Sequence, residues 1–349
     1  MMLKLTVLEG VVPAAPVIYT DAGCTTLDYE AYRDHLRFLL SHEIAALCVG
    51  GHAGETECLT MDERLKVIEI AIDESKGRVP VLGGVIADST WAAIEQVRIQ
   101  KEHGVDGVLI CAPTILSWDA VSADEMLVAH FSAIDREGRL PFVIYGGPGA
   151  GEGSTTRQLP GTFIKVARRC EHLVAWKIPV RGVMTGKNSL EECVQTLAAV
   201  AKTTRRTVSP LVAGDFDFLA ALKAGAKGTV NSNESVRVDD NTAIYKAFRE
   251  GDHATAERLQ ERGKPLSDVI YGIRIGRSYT FFHYRGKIAA WMLGYLSNPF
   301  MRLPQVPPPA DEIQMIFDAL VASGKRPVRE AAEFEHAARS LQGVRRIAA

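Results

Sequence analysis

A lysine stands near the end of an apolar run, LVAWKIPV, at residues 173–180. Lysine is among the side chains least often buried unless it is paired or has a chemical role. Lys177 could be a strand-end residue whose ammonium group reaches the solvent. It could also be a desolvated amine, because burial disfavours the ammonium form and lowers the pKa of lysine. Only the second alternative gives this residue a chemical use.

An uncharged amine can attack a carbonyl carbon and form a Schiff base, whose iminium stabilises a carbanion or enamine at the adjacent carbon. A tyrosine hydroxyl nearby could move the protons that formation and collapse of the carbinolamine require. Tyr145, in the run PFVIYG, is the candidate for that hydroxyl. It could instead pack in the core with its hydroxyl group bonded to the backbone, so the two residues alone leave both alternatives open.

The elements that must position these residues repeat along the chain, since short apolar or β-branched runs alternate with longer amphipathic ones. Eight runs are predicted strands, at residues 13–19, 44–50, 79–86, 105–112, 141–146, 172–178, 207–214 and 226–232. This repetition predicts an α/β fold, a (β/α)8 TIM barrel over residues 1–237 with a C-terminal helical region over 238–349. A doubly wound sheet is the alternative, but TDAGCTT after the first strand is not a dinucleotide loop.

Capping residues mark the ends of two of the predicted helices. Thr60 and Glu63 have the spacing of a capping box, and Gly77 is the expected stop of the same helix. Ser89 or Thr90 is expected to cap the next helix.

Within a barrel, the alternation of side chains decides which residues face the interior. Leu173 and Lys177 share one face of their strand, and Val174 and Trp176 share the other. Trp176 is too bulky for a barrel interior and suits the layer between sheet and helices. Lys177 therefore points inward, and so does Tyr145 on the preceding, neighbouring strand. We expect the amine and the phenol to meet at the carboxyl ends of the strands, where active sites of such barrels lie.

The composition limits the class of protein. Hydrophobic residues make up 47% of the chain and the formal net charge is −2, which argues against a nucleic-acid or membrane-surface binder. No apolar run approaches the roughly 18 to 20 residues that span a bilayer, and the first residues make a poor signal peptide. The six cysteines lack metal-ligand spacing, and Cys48 and Cys111 lie in apolar strands where a thiol packs. We expect a cytoplasmic protein without structural disulfides.

Several motifs together resemble the dihydrodipicolinate synthase / N-acetylneuraminate lyase family, from about residue 10 to about residue 310. They are GGHAGExxxLTxxER (50–64), GVDGVLICAP (104–113), YGGPG (145–149), the strand-six lysine and AGDFDFLAALKAGAKGTVNS (213–232). The resemblance implies a class I lyase, an aldolase or a dehydratase/hydratase, that forms a Schiff base with a 2-oxo acid such as pyruvate or a pyruvate adduct. It also implies that the enzyme needs no cofactor and forms a homo-oligomer, a dimer or tetramer.

The resemblance further implies roles for individual residues. Lys177 would be the Schiff-base lysine and Tyr145 the proton-shuttling tyrosine. The residues that would bind the substrate are Gly51, His52, Ala53, Gly54, Glu55, Thr114, Ile115, Gly214 and Val230.

The chain departs from the family pattern at the substrate pocket. The two hydroxyl residues that hold the substrate carboxylate are replaced by His52 and Ala53, although backbone N–H groups of the turn could still bind a carboxylate. Thr114 and Ile115 replace a pair of tyrosines, and Ala150 replaces an arginine. We therefore do not expect dihydrodipicolinate synthesis, and sialic-acid cleavage is no better supported. His52 could bond a carboxylate, bond a backbone carbonyl, or act as a general acid or base.

Different residues favour different substrates. Ile115, Leu116 and Trp118 give the site an apolar side, which favours a hydratase-aldolase specialised for an apolar or aryl 2-oxo acid. The polar run 231–233 would instead suit a sugar-acid dehydratase.

Two further classes of protein stay open. A metal-dependent barrel enzyme could use His52 and Glu55, but the nine histidines show no HxH or HExxH spacing, so we predict no metal. A non-catalytic barrel that binds a carbonyl ligand is the other class, because the loop has lost its hydroxyl groups.

Overall fold

The computed structural model describes residues 5–113, 123–145, 160–179, 207–272 and 282–345. Eight parallel strands form the centre of the molecule, with helices between them and further helices toward the C-terminus. The strands are β1 (Gly10–Pro13), β2 (Leu47–Val49), β3 (Val81–Val85), β4 (Gly107–Cys111), β5 (Phe142–Tyr145), β6 (Leu173–Pro179), β7 (Ser209–Ala213) and β8 (Gly228–Asn231). They are short and mostly apolar, as is typical of strands covered on both faces.

The sheet closes into the predicted barrel. The strands are hydrogen-bonded in the order β1-β8-β7-β6-β5-β4-β3-β2, and a parallel bridge between Ala14 and Cys48 joins the two ends. The prediction for the first strand is wrong, since β1 begins at Gly10 and ends at Pro13 rather than spanning 13–19. Pairing with β8 stops at Asn231, so the buried residues after Pro13 pack as a loop. Their hydrophobicity reflects burial rather than strand pairing.

The helices lie mostly on the outside of the barrel and at its carboxyl end. They are α1 (Tyr29–Leu40), α2 (Met61–Ser75), α3 (Thr90–Glu102), α4 (Ala123–Gly138), α5 (Pro160–Arg169), α6 (Phe218–Lys223), α7 (Glu234–Glu250), α8 (His253–Ile270), α9 (Phe282–Met292), α10 (Ala310–Ala322) and α11 (Ala331–Arg345). The capping box of Thr60 and Glu63 at α2 is confirmed, and Ser89 caps α3. The left-handed turn that ends α2 starts at Lys76, one residue before Gly77.

The buried apolar residues form two clusters, an inner one inside the barrel and an outer one between the strands and the helices. Trp176 belongs to the outer cluster and Ala175 to the inner one, as predicted. The prediction for Leu173 and Val174 is wrong, because Val174 lies in the inner cluster and Leu173 in the outer one. The register between β5 and β6 shifts just after Phe142, and a bulge of this kind reverses the faces on one side of it. Alternation therefore predicts β6 correctly only from Ala175 onward.

The C-terminal helices continue directly from the barrel. Helix α7 packs against β1 and against α8, and it crosses residue 237 with a kink at Arg237. The division of the chain into 1–237 and 238–349 thus falls inside a helix and stays a prediction.

Candidate active site

A cavity of about 470 Å³ lies at the carboxyl ends of the strands. Barrel residues and residues from the C-terminal region line it together. Among them are Cys48, Gly51, His52, Ala53, Glu55, Glu57, Cys111, Tyr145, Lys177, Gly214, Val230, Asn231, Ser232, Tyr271, Phe282, His283 and Met301.

Lys177 and Tyr145 lie side by side at the bottom of this cavity. Cys111, Tyr145 and Lys177 are register partners on β4, β5 and β6, and Lys177 Nζ lies 3.8 Å from the centroid of the Tyr145 ring. Burial lowers the pKa of Lys177, while the thiols of Cys48 and Cys111 oppose that shift. A larger fraction of this side chain is therefore uncharged amine at neutral pH than for an exposed lysine.

The two strand thiols face the amine. Cys48 and Cys111 are both buried and both line the cavity. Burial raises the pKa of Cys48 to about 11 and raises the pKa of Cys111 further. Both thiols are thus protonated at neutral pH. The sequence predicted core packing for them, and their contact with the reactive end of the cavity follows only from the closure of the barrel.

The turn after β2 holds several of the predicted substrate-binding residues. It consists of two short 3-10 turns, His52–Gly54 and Thr56–Cys58, joined by Glu55 in the left-handed conformation with φ of 54°. The Thr56 hydroxyl donates to the Gly50 carbonyl and closes the turn. Residues 51–53 line the cavity, whereas Gly54 lies behind them, against the backbone of Ala15.

Glu55 binds groups of the protein with both carboxylate oxygens. Its Oε1 accepts from Lys287 Nζ at 2.9 Å, and its Oε2 accepts from the Tyr19 hydroxyl at 3.1 Å and from the Arg302 N–H at 2.8 Å. The side chains of Glu55 and Lys287 are almost fully buried. Glu55 therefore ties the turn to the C-terminal region, and a contact of its carboxylate with substrate stays a prediction.

His52 lies at the opening of the cavity. Its Nε2 atom is 3.1 Å from Glu57 Oε1, its Nδ1 atom is 3.4 Å from Cys111 Sγ, and its ring packs edge-on against Tyr145 with centroids 5.9 Å apart. Burial lowers the pKa of His52, Glu57 opposes the shift and Lys177 adds to it. The imidazole is therefore mainly neutral near pH 7.

The remaining predicted site residues belong to the ends of three strands. Gly214, with φ of 122°, and Val230 line the cavity after β7 and within β8. Thr114 and Ile115 lie outside the described residues, as do Leu116, Trp118 and Ala150. The roles of all these residues in substrate binding stay predictions.

One wall of the cavity comes from the C-terminal region, which no motif in the sequence indicated. The rings of Tyr271 and Phe282 stack with centroids 5.8 Å apart, and the Tyr271 hydroxyl donates to Asn231 Oδ1 at 2.9 Å. Burial lowers the pKa of His283 well below its usual range, and His52 and Lys177 lower it further. These residues are distant along the chain from every strand end, so no motif or spacing connects them to Lys177.

Three residues that line the cavity each have a polar atom without a hydrogen-bond partner among the described residues: Asn231 Nδ2, Ser232 Oγ and His283 Nδ1. The Asn231 carboxamide is oriented, because its oxygen accepts from Tyr271 and from the Asn233 N–H. Its two N–H groups therefore have no acceptor among the described residues.

The described residues contain neither a metal-binding cluster nor a membrane-spanning helix. Among those residues, no three His, Cys, Asp or Glu side chains are grouped so that they could hold a metal ion. Within the same residues, no helix is long and apolar enough to cross a membrane.

The closed eight-stranded sheet with helices between its strands defines a (β/α)8 barrel, and the Lys177 amine lies in the cavity at the carboxyl ends of its strands. The Dihydrodipicolinate synthetase family matches residues 8–322, and the chain belongs to this family. A 4-hydroxy-tetrahydrodipicolinate synthase of Maridesulfovibrio salexigens is 26% identical over 281 residues, which cover 80% of this chain and 87% of the relative. The corresponding enzyme of Aquifex aeolicus is 27% identical over 278 residues, with 80% and 86% covered.

Solved structures confirm the fold. The crystal structure of dihydrodipicolinate synthase from Aquifex aeolicus has a TM-score of 0.76 at 24% identity, with 92% of this chain and 100% of that chain covered. A monomeric dihydrodipicolinate synthase variant gives 0.79 at 22% identity, with 93% and 100% covered. Membership of the family supports a class I lyase that acts on a pyruvate-type substrate.

Proposed function

We propose that the protein is a class I lyase, an aldolase or a dehydratase/hydratase, that forms a Schiff base between Lys177 and a 2-oxo acid such as pyruvate or a pyruvate adduct. The observation that carries the proposal is the partly buried Lys177 amine, with its lowered pKa, 3.8 Å from the ring centre of Tyr145 in a cavity of about 470 Å³. Burial of an amine without a partner carboxylate is costly, and a covalent role explains why the residue is there.

The chemistry follows from this placement. Lys177 Nζ attacks the C2 carbonyl of the oxo acid, and the carbinolamine loses water to give the iminium. Removal of a proton from C3, or cleavage of the bond between C3 and C4, leaves an enamine whose electrons the iminium nitrogen has accepted. Tyr145 is the proposed carrier of the protons that enter and leave the carbinolamine oxygen.

Backbone N–H groups of the turn at 51–53 are the proposed site for the substrate carboxylate, since such turns form anion-binding concavities. The described residues that line the cavity include no arginine. A partner aldehyde with a second carboxylate is therefore poorly matched to this part of the cavity.

The wall formed by Tyr271 and Phe282 favours one alternative within the same class. Two stacked rings would pack against an aryl or apolar group, which supports a hydratase-aldolase for such 2-oxo acids. A non-catalytic barrel that binds a carbonyl ligand is the other alternative, and it predicts binding without turnover.

Borohydride reduction with a panel of oxo acids tests the proposal. Pyruvate, sugar-acid and aryl 2-oxo acids would each be added with borohydride, and the modified peptide would be identified by mass spectrometry. We expect an irreversible adduct on Lys177 and none in Lys177→Met. Turnover that EDTA abolishes, without any adduct, would overturn the proposal in favour of a metal-dependent enzyme.

We also propose that the enzyme is a cytoplasmic homo-oligomer, a dimer or tetramer. The described cysteines are all free thiols, which is typical of proteins kept in a reducing compartment. The exposed side chain of Trp91 on α3, which is 75% accessible, and that of Met126 on α4 support a contact between subunits.

A further inference from the structure

A chain of three polar side chains runs from the rim of the cavity to strand β4. Glu57 Oε1 lies 3.1 Å from His52 Nε2, and His52 Nδ1 lies 3.4 Å from Cys111 Sγ. The Glu57 side chain is 44% exposed, whereas Cys111 is buried in the barrel. The chain therefore connects the solvent with the part of the cavity that holds Lys177.

Hydrogen-bonding rules fix the tautomer of His52. A carboxylate only accepts, so Nε2 must carry the proton that is shared with Glu57. The Cys111 thiol stays protonated, because burial raises its pKa, and it donates its S–H to Nδ1. The resting imidazole is therefore neutral, with the Nδ1 lone pair directed toward the barrel interior.

The reacting amine and the His52 imidazole lie against the same side chain, Tyr145. The centroids of the His52 and Tyr145 rings are 5.9 Å apart. Lys177 Nζ lies 3.8 Å from the centroid of the Tyr145 ring. An oxo acid bound to Lys177 would occupy the cavity that these three residues line. Besides Lys177 and Tyr145, the titratable groups of the described residues that face His52 are Glu57, Cys111 and His283, and burial keeps the last two uncharged.

We infer that His52 is the catalytic general base and acid for the carbon next to the Schiff base, and that Glu57 and Cys111 are its positioning residues. The inference rests on the proposed Schiff base at Lys177. The Cys111 S–H turns away from Nδ1 and frees its lone pair, which takes a proton from C3. The electrons of that C–H bond form the C=C bond of the enamine, and the iminium π electrons move to nitrogen. The imidazolium that results lies beside the Glu57 carboxylate, which stabilises it until the proton returns.

The assignment accounts for two departures of this chain from the pattern it resembles. The loop after β2 has histidine where the resemblance leads us to expect a hydroxyl residue, and Thr114 and Ile115 replace a pair of tyrosines, one of which would join a proton relay. A histidine fixed by a carboxylate can replace such a relay, because its ordinary pKa is near 6.5.

Deuterium exchange into the methyl group of pyruvate measures this proton transfer without any second substrate. We would compare the wild type with Glu57→Gln, and use Glu69→Gln as the matched control, since Glu69 pairs with Lys66 and is 48% exposed. We expect Glu57→Gln to slow exchange by roughly 10- to 100-fold. The exchange rate falls on the acidic side of its pH profile when His52 is protonated, and this acidic limb should move to lower pH in Glu57→Gln, because loss of the carboxylate lowers the pKa of His52 further.

Two further variants separate positioning from catalysis. His52→Gln keeps a donor for Glu57 but has no basic nitrogen. Its exchange rate should fall by about 100-fold or more and should no longer decrease at acidic pH. Cys111→Ser keeps a donor toward Nδ1 and should exchange faster than Cys111→Ala.

Borohydride trapping of pyruvate on Lys177 keeps two kinds of failure apart and also reports that the cavity is folded. If no oxo acid is trapped by the wild type, the proposed function is wrong and this inference falls with it. If all variants trap pyruvate while Glu57→Gln and His52→Gln exchange at the wild-type rate with the wild-type pH profile, His52 is not the proton carrier.

Discussion

The Glu55–Lys287 pair is the residue-scale feature that most changes the interpretation of the loop after β2. Part of the loop's motif, GE, was expected to bind substrate, yet the Glu55 carboxylate is buried against an amine 232 residues away. Lys287 also donates to the Phe300 carbonyl at 2.7 Å. The pair thus holds the substrate loop against the C-terminal region, and the loop's shape depends on it.

Lys287→Met should lower the free energy of unfolding by about 3 to 5 kcal/mol, because it leaves the Glu55 carboxylate buried without a cation. Chemical denaturation measures this loss. The double variant Lys287→Met with Glu55→Gln should recover part of it, since the uncompensated charge is then gone.

Lys66→Met is the matched control, because Lys66 pairs with Glu69 on the surface with both side chains about half exposed. It should cost no more than about 1 kcal/mol. Equal losses of unfolding free energy in Lys287→Met and Lys66→Met would show that the buried pair stabilises the fold no more than the surface pair does.

At the scale of elements, strand β3 packs closely against the turn that follows β2. A side chain at Gly84 would place its Cβ 1.9 Å from the Gly50 carbonyl oxygen and 2.6 Å from the Gly51 nitrogen. Both are backbone atoms, so no rotamer change could relieve the contact. Glycine is required here because β3 and the turn approach each other closely.

Gly84→Ala should displace the turn at 51–54 and lower the rate of adduct formation on Lys177 by about 100-fold, the cost of misplacing a site by about 1 Å. The measurement is the rate of borohydride trapping with pyruvate. Gly23→Ala is the control, since its Cβ would meet only side-chain atoms, those of Asp21 and Thr25. An unchanged trapping rate in Gly84→Ala would contradict this account of the turn.

At the scale of the whole molecule, Arg302 fastens the C-terminal region to the mouth of the barrel. Its guanidinium donates to both carboxylate oxygens of Glu63 on α2, at 2.9 and 3.0 Å. It also donates to the carbonyls of Cys24, Thr25 and Cys58. One side chain thus joins three segments around the cavity.

Arg302→Met should lower the free energy of unfolding by about 2 to 3 kcal/mol at neutral pH, because charge-assisted hydrogen bonds are lost. The hydrogen bond from Arg302 holds the pKa of Glu63 below its ordinary value of 4.5. A depressed pKa contributes stability that is present above 4.5 and is lost as the pH falls through the folded value.

The difference between wild type and Arg302→Met should therefore shrink as the pH falls below about 4.5. Urea denaturation at a series of pH values measures it. A difference that is constant down to the acid transition would mean that Glu63 is not the partner that matters.

Local pattern was enough to predict the barrel, the caps of α2 and α3, and the inward direction of Lys177 and Tyr145. These features depend on periodicity and on neighbouring residues, which the sequence carries directly. Leu173 and Val174 were assigned to the wrong faces because the bulge between β5 and β6 arises from pairing between strands.

Only the tertiary structure decided which groups surround the amine. Closure of the barrel turned Cys111 from a packing residue into a neighbour of His52. The C-terminal helices brought Tyr271, Phe282 and His283 into the cavity. Contacts of this kind join residues distant along the chain, and their energy depends on geometry that no spacing in the sequence encodes. The lysine could be predicted from its own strand, whereas the pocket that selects its substrate is formed by the fold.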